Sequence, residues 1–273
     1  MKRGFGNLYR MLKRGAKHPR VLSHVVDVGP SVCDGYTFAQ AYTECMLPAG
    51  TSPAPVNPLW EYFQNHEKGH GLWKWEHYFD IYHRHFARFV SQKVNVLEVG
   101  IYSGGSLEMW RSYFGEDCHI YGVDIEEACK AYENDHISVF IGDQADRTFW
   151  RNLKDNVKDI DIVIDDGGHT PEQQQITLEE LLPNLRPGGV YLCEDVHGSF
   201  NRFSAFASAL VHELNSFQSI SGSILQSSAS SFQSAIHSIH FYPYVVVIEK
   251  HRAAPTTLSS PKRGTEWQPF PCD

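Results

Sequence analysis

The chain has 273 residues, of which 42% are hydrophobic and 21% charged, with 32 acidic against 24 basic side chains. That length suits one large α/β core with appendages, and a net charge of -8 argues against a nucleic-acid backbone as the main ligand, because phosphate binding needs a basic face. No apolar run approaches the ~18 residues that a membrane-spanning helix requires.

Residues 1–26 hold Lys2, Arg3, Arg10, Lys13, Arg14, Lys17 and Arg20 and no acid. Two readings stay open: a solvated basic tail on a cytoplasmic protein, or an organelle-targeting peptide, which is Arg-rich and acid-poor. Cys33, Cys45, Cys118, Cys129, Cys193 and Cys272 form no C-x-x-C pair, so reduced thiols in a reducing compartment are expected rather than a zinc knuckle. The proline-rich stretch Leu47–Pro58 reads as a connector. The expected organisation is an N-terminal extension over 1–58, a helical segment over 59–92, the main domain over 93–251 and a tail over 252–273.

Within the helical segment, Phe79, Tyr82, Phe86 and Phe89 fall at helical spacing and predict a helix packed on the core. Its aromatics read as core and its histidines as surface; alternatively, part of Trp73–Phe89 closes over a substrate pocket.

From Val94 the pattern changes. Apolar β-rich runs at Val94–Val99, Ile120–Asp124, Ile137–Ile141, Ile160–Asp165 and Val190–Cys193 alternate with helix-like stretches. Such near-continuous apolar strands predict a parallel sheet covered on both faces, a doubly wound Rossmann-like α/β fold. Ligands then bind at the carboxyl ends of the strands, where strand order reverses. Ser216–Ser234 reads as a serine-rich surface loop. Ile236–Tyr242 and Tyr244–Glu249, around Pro243, predict an antiparallel C-terminal hairpin at the sheet edge.

The first strand ends Leu97-Glu98-Val99-Gly100, followed by Ile101-Tyr102-Ser103-Gly104-Gly105-Ser106. Glycines at a strand-to-helix turn let backbone approach a ligand, although a purely structural turn is the alternative. The G-x-G-x-x-G of dinucleotide-binding dehydrogenases is absent. Glu98 suits a ligand with a cationic end, such as S-adenosylmethionine, better than a pyrophosphate. Glu98, Gly100, Gly104 and Ser106 are therefore candidate donor contacts. Asp124, ending the second strand, is placed to accept from ribose hydroxyls, a role that serves NAD equally. Asp143 and Gln144 after the third strand suit an adenine edge, or else form a simple Asx turn.

The fourth strand ends Asp165-Asp166-Gly167-Gly168-His169 and the fifth Cys193-Glu194-Asp195. In a doubly wound sheet these ends are neighbours. Asp165 is assigned to the donor, while Asp166, Glu194 and Asp195 converge. Three adjacent carboxylates repel unless a cation sits among them, and oxygen ligands suit Mg2+. A solvated acidic rim is the other reading. His169 is the candidate general base.

The run Leu97–Gly100 to Gly104–Leu107, with Gly122-Val123-Asp124, Gly142-Asp143-Gln144, Asp165–His169 and Glu194-Asp195, resembles the metal-dependent O-methyltransferases of macrolide sugars. It is also similar to cephalosporin hydroxylase-type and rhamnosyl O-methyltransferase-type proteins. The resemblance covers about Trp73 to Phe217, and the family more often has Ser where this chain has Gly168. It implies a class I methyltransferase fold, S-adenosylmethionine as donor, Mg2+ on residues matching Asp166, Glu194 and Asp195, and a base matching His169. The acceptor is then a small hydroxyl compound, with neither nucleic acid nor membrane as partner and homo-oligomerisation left open. An NAD-type oxidoreductase and a non-catalytic protein with this fold are the competing readings.

Overall fold

The computed structural model describes residues 19–42, 56–198, 201–216, 226–261 and 263–264. The basic stretch up to residue 18 and the connector over 47–55 lie outside them. The chain divides into two compact units, residues 1–55 and 56–273. In the first, α1 (Pro19–Ala41) is a 23-residue helix that contains Pro30.

In the second unit the apolar runs become strands. Parallel β1 (Val94–Val99), β2 (Cys118–Asp124), β3 (Ile137–Ile141), β4 (Ile162–Asp165) and β5 (Val190–Cys193) form most of one sheet. β6 (Gln226–Ser228) lies elsewhere, while β7 (Ile236–Tyr242) and β8 (Val245–Lys250) complete the seven-stranded sheet. Its order is β3-β2-β1-β4-β5-β8-β7, with β8 antiparallel to both β5 and β7. Chain order reverses between β1 and β4, which opens a crevice at their carboxyl ends. The doubly wound sheet and its C-terminal hairpin follow the expected pattern.

Alternation along the strands sends successive side chains to opposite faces. On one face Val94, Val96, Ile162, Ile164, Val190 and Leu192 pack beneath α2 (Pro58–Asn65), α3 (Tyr78–Phe86) and α4 (Gly105–Phe114), whose Leu59, Tyr82 and Trp110 are buried there. On the other, Leu97, Val99, Val163 and Tyr191 pack against α5 (Arg147–Asn156), α6 (Pro171–Leu181) and α7 (Arg202–Leu214). Fully buried Phe86, Phe114 and Phe203 each contribute roughly 1.5–3 kcal/mol relative to exposure.

Of the serine-rich stretch expected as a loop, residues 217–225 lie outside the described residues, and the part from residue 226 on differs from that expectation. Ser230 accepts from Gln233 N, the Gln233 side chain returns to the Ser230 backbone, and this capping box starts the short helix α8 (Ser231–Ala235). Serine, read as a loop former, is equally a favoured helix cap. β6 pairs with β9 (Thr257–Ser259), so part of the expected tail is also strand. No helix among the described residues is long and apolar enough to cross a membrane.

One histidine of α3 departs from the surface reading. His85 is buried because its Nδ1 donates to Glu249 Oε1 (2.7 Å) on β8 and its Nε2 faces the Tyr242 hydroxyl (2.9 Å) on β7. Arg88 donates to the same Glu249 oxygen (3.0 Å) and to Gly188 O. These bonds clamp α3 to the hairpin. Burial alone would raise the Glu249 carboxyl, but hydrogen bonds from His85 and Arg88 hold it at about 2. A carboxylate depressed by folding stabilises above its unfolded value of 4.5 and loses that contribution as pH falls through the folded value. Glu249→Gln should lower stability at pH 7 by roughly 1–3 kcal/mol, and the gap to the unmodified protein should narrow below pH 4.5. Thermal unfolding followed by circular dichroism at stepped pH measures this; a gap independent of pH would show that the contact does not work through charge.

Candidate active site

The loop between β1 and α4 is shaped by what surrounds it. Gly100 has φ +91°, and a Cβ there would lie 2.0 Å from the Asp166 carbonyl oxygen, so the β1 and β4 loops touch with no room for a side chain. Gly104 caps α4 in the left-handed conformation. Asp124 Oδ2 accepts from Ile101 N (2.7 Å) and Tyr102 N (3.1 Å), and its Oδ1 accepts from Glu126 N (2.9 Å). Burial would raise this carboxyl, but the three backbone donors hold it below its ordinary value. Asp124 thus fixes the β1–α4 loop from beneath.

Strand alternation sorts the remaining acids. Glu98 shares the face of Val94 and Val96 and is 0% exposed. It accepts from Ser106 Oγ (2.9 Å) and Trp110 Nε1 (3.0 Å) of α4, and burial pushes it up to about 7. Glu98 and Ser106, both expected on the donor, are therefore bonded to one another. Asp165 faces the opposite way. It accepts from Gln144 Nε2 (2.5 Å) and the Tyr191 hydroxyl (3.0 Å), and burial raises it to about 7. Gln144 Oε1 in turn accepts from Gly168 N (2.9 Å). Asp165 and Gln144, also expected on the donor, instead brace the turn that carries Asp166 and His169, because buried polar groups must find partners. Asp143 is exposed and accepts from Ala145 N (2.7 Å), the Asx turn that stood as the alternative.

Asp166, His169 and Asp195 come together. Ligand atoms of the three lie within 4.8 Å of one another. His169 Nε2 is 3.9 Å from Asp166 Oδ1 and 3.6 Å from Asp195 Oδ2. His169 (φ +56°) and Asp195 (φ +54°) both adopt left-handed backbone, a conformation that costs energy in non-glycine residues and recurs at functional sites. His169 Nδ1 is buried with no hydrogen-bond partner.

Glu194, expected as a third metal ligand beside them, is not in that group of three and meets Asp166 through Lys74. It is buried on the α3 face, where Oε1 accepts from the Tyr82 hydroxyl (2.7 Å) and both oxygens meet Lys74 Nζ (3.1 and 3.0 Å). Burial and neighbouring Asp166 push its carboxyl upward against the pull of Lys74. Lys74 Nζ also donates to Asp166 Oδ2 (2.6 Å) and stands 3.9 Å from Glu98 Oε1. Asp195 Oδ1 accepts from Trp75 Nε1 (3.0 Å) and the Tyr78 hydroxyl (2.9 Å). Burial keeps both phenols protonated by raising them well above the usual value.

Asp166 and Asp195 each have one oxygen held by a donor and the other turned toward His169. Two carboxylate oxygens beside the imidazole Nε2 fit a hard divalent ion that keeps several waters. Lys74, Trp75, Tyr78 and Tyr82 escaped the sequence reading. The one signal available was a lysine between two tryptophans just before an aromatic helix.

Residues 97–196 match the family described as "Methyltransferase domain". The chain is 37% identical over 169 residues to demethylmacrocin O-methyltransferase of Streptomyces fradiae, an alignment covering 59% of this chain and 41% of that protein. It is 41% identical over 133 residues to the 8-demethyl-8-(2-methoxy-alpha-L-rhamnosyl)-tetracenomycin-C 3'-O-methyltransferase of Streptomyces olivaceus, covering 46% and 33%. The chain thus spans less than half the length of these relatives. Among solved structures it resembles the MycE methyltransferase of mycinamycin biosynthesis in complex with Mg, SAH and mycinamycin VI. That likeness has 28% identity and a TM-score of 0.58, over 72% of this chain and 53% of that one. The sheet order and this likeness establish the class I methyltransferase fold that the motifs implied. Residues 97–196 of this chain are thus similar to the methyltransferase-domain family.

Proposed function

We propose that the protein transfers a methyl group from S-adenosylmethionine to a hydroxyl oxygen of a small sugar-like natural product, with a divalent ion, Mg2+ by preference, at the site. The observation that carries this reading is the convergence of Asp166, His169 and Asp195 at the ends of β4 and β5, beside the glycine loop of β1. The named activities of its relatives support the same chemistry. Buried free thiols at Cys118, Cys129 and Cys193 suit a reducing, cytoplasmic setting.

When bound, the ion supplies Lewis acidity to an acceptor hydroxyl. Asp166 and Asp195 would hold it. Gly100 and Gly104 admit the donor close to backbone, Asp124 keeps the loop closed around it and presents charge to its ribose, and Asp143 is the acid left exposed for its adenine. His169 takes the acceptor proton at Nε2, and the flanking carboxylates stabilise the resulting imidazolium. Much of the rate then comes from positioning the two substrates together.

Asp124→Ala should weaken S-adenosylhomocysteine binding by about 1.5–3 kcal/mol, the worth of a hydrogen bond to a charged group. Isothermal titration calorimetry reads this directly, and unchanged affinity would remove Asp124 from the donor site.

Methyl transfer to a panel of hydroxylated glycosides should vanish in EDTA and return with Mg2+. Asp195→Ala should abolish this metal-dependent turnover while sparing S-adenosylhomocysteine binding. His169→Ala should cost ~10²–10⁴-fold in rate, with part of the loss recovered at high pH as hydroxide replaces the base. Full turnover in EDTA would rule out the ion.

A further inference from the structure

At the other end of α3 from Tyr78, a second set of metal-ligating side chains comes together. His85 of α3, His240 of β7 and Glu249 of β8 present ligand atoms that all lie within 4.8 Å of one another. The His85 ring is buried and meets the His240 ring edge on, with centroids 4.7 Å apart. Zinc bonds of ~2.0–2.1 Å to nitrogen and oxygen place tetrahedral ligands roughly 3.3 Å apart, so small side-chain rotations bring these three onto one ion.

Two of the three are already in the state that binds a metal. Burial and neighbouring His85 lower the His240 imidazole below its usual value, so it is neutral at pH 7. Despite its burial, hydrogen bonds from His85 and Arg88 hold Glu249 at about 2, as a carboxylate. His85 Nδ1 shares a proton with Glu249 Oε1 across 2.7 Å, and an ion there takes the place of that proton. Two cations oppose it. Arg88 bonds to the same Oε1 at 3.0 Å, which leaves Oε2 to accept more, and Arg84 is exposed, where water screens it.

We propose that His85, His240 and Glu249 form a second metal site, which takes zinc or a similar transition-metal ion. Imidazole nitrogens select such ions over Mg2+, which prefers oxygen. A water fills the fourth position, beside the Tyr242 hydroxyl that lies 2.9 Å from His85 Nε2. The ligands come from three elements, so the ion staples α3 to the C-terminal hairpin. Its role is structural, and it is separate from the carboxylates at the ends of β4 and β5.

Co2+ titration of the full chain in excess Mg2+ tests the proposal without turnover. A four-coordinate site with nitrogen ligands gives Co2+ a strong visible band, whereas six-coordinate oxygen ligation gives faint colour. One equivalent should develop the band, and Zn2+ should bleach it. His240 is half-buried on an edge strand, so His240→Gln should fold. It and Glu249→Gln should each weaken Co2+ binding by at least about tenfold, the lesser cost of losing even an outer-shell partner. Asp195→Ala should keep the band. Zn2+ should also raise the Tm of the unmodified protein and leave that of His240→Gln unchanged. No band in the unmodified protein, a band kept at full affinity by His240→Gln, a band lost in Asp195→Ala, or no rise in Tm with Zn2+ would each overturn the site.

Discussion

The structure depends on the need to satisfy carboxylates buried at the ends of apolar strands. Glu98, Asp165 and Glu194 are essentially inaccessible to water. Each would be intolerable as an isolated charge, and each is surrounded by donors. Trp110 and Ser106 serve Glu98, Gln144 and Tyr191 serve Asp165, and Tyr82 and Lys74 serve Glu194. The positions of α4, of the β3–α5 loop and of the segment before α3 follow from these pairings as much as from apolar packing. The donors are aromatic N–H and O–H groups for the most part, which fill the core and satisfy the acids at once.

That arrangement makes the site a product of distant parts of the chain. The acids arrive from β1, β4 and β5, at the switch point where the sheet opens. Their partners arrive from Lys74, Trp75, Tyr78 and Tyr82, roughly a hundred residues earlier than Asp166, Glu194 and Asp195. α3 can deliver them because it is anchored at its far end by His85 and Arg88 on Glu249 of the hairpin. The antiparallel C-terminal pair therefore closes the sheet and also fixes the helix that finishes the site.

Much of this was legible in the sequence. The five parallel strands and the hairpin could be read from runs of apolar residues, because burial on both faces leaves a strong compositional mark. The glycine loop, Asp124, and the two acidic strand ends were legible because polar residues directly after an apolar strand are conspicuous. What could not be read was the direction of each acid. Asp165 and Asp166 are adjacent in sequence, yet Asp165 meets Gln144 and Tyr191 while Asp166 meets Lys74; Glu194 and Asp195 are adjacent too, yet Glu194 meets Lys74 and Tyr82 while Asp195 meets Trp75 and Tyr78. A shift of one residue decides which partners an acid meets. Gln144 and Ser106 raise the same question: a polar side chain beside such a loop can face a ligand or hold the loop, and their partners here, Asp165 and Glu98, could not be read from spacing. His85 and Lys74 left no local trace, since their partners lie 164 and 92 residues away.

The boundary of the family match adds a last step. The methyltransferase-domain match begins at residue 97 and ends at 196, so it contains Glu98, Asp124, Asp166, His169, Glu194 and Asp195. It contains none of Lys74, Trp75, Tyr78 or Tyr82, nor the hairpin. The acids thus lie within that match, whereas the groups that neutralise and orient them lie outside its bounds. Those flanking segments also line the outer side of the cluster. Trp75 reaches Asp195 with its indole N–H and packs against Tyr244 of the hairpin turn, their ring centroids 5.5 Å apart, while Trp73 is 86% exposed beside it. Exposed aromatic surface next to a charged cluster is the kind of boundary where a ring-shaped ligand can be apolar on one face and hydrogen-bonded at its edge. The acids and the side chains that orient them are therefore carried by different stretches of this chain, joined through hydrogen bonds to two carboxylates, Glu194 and Asp195.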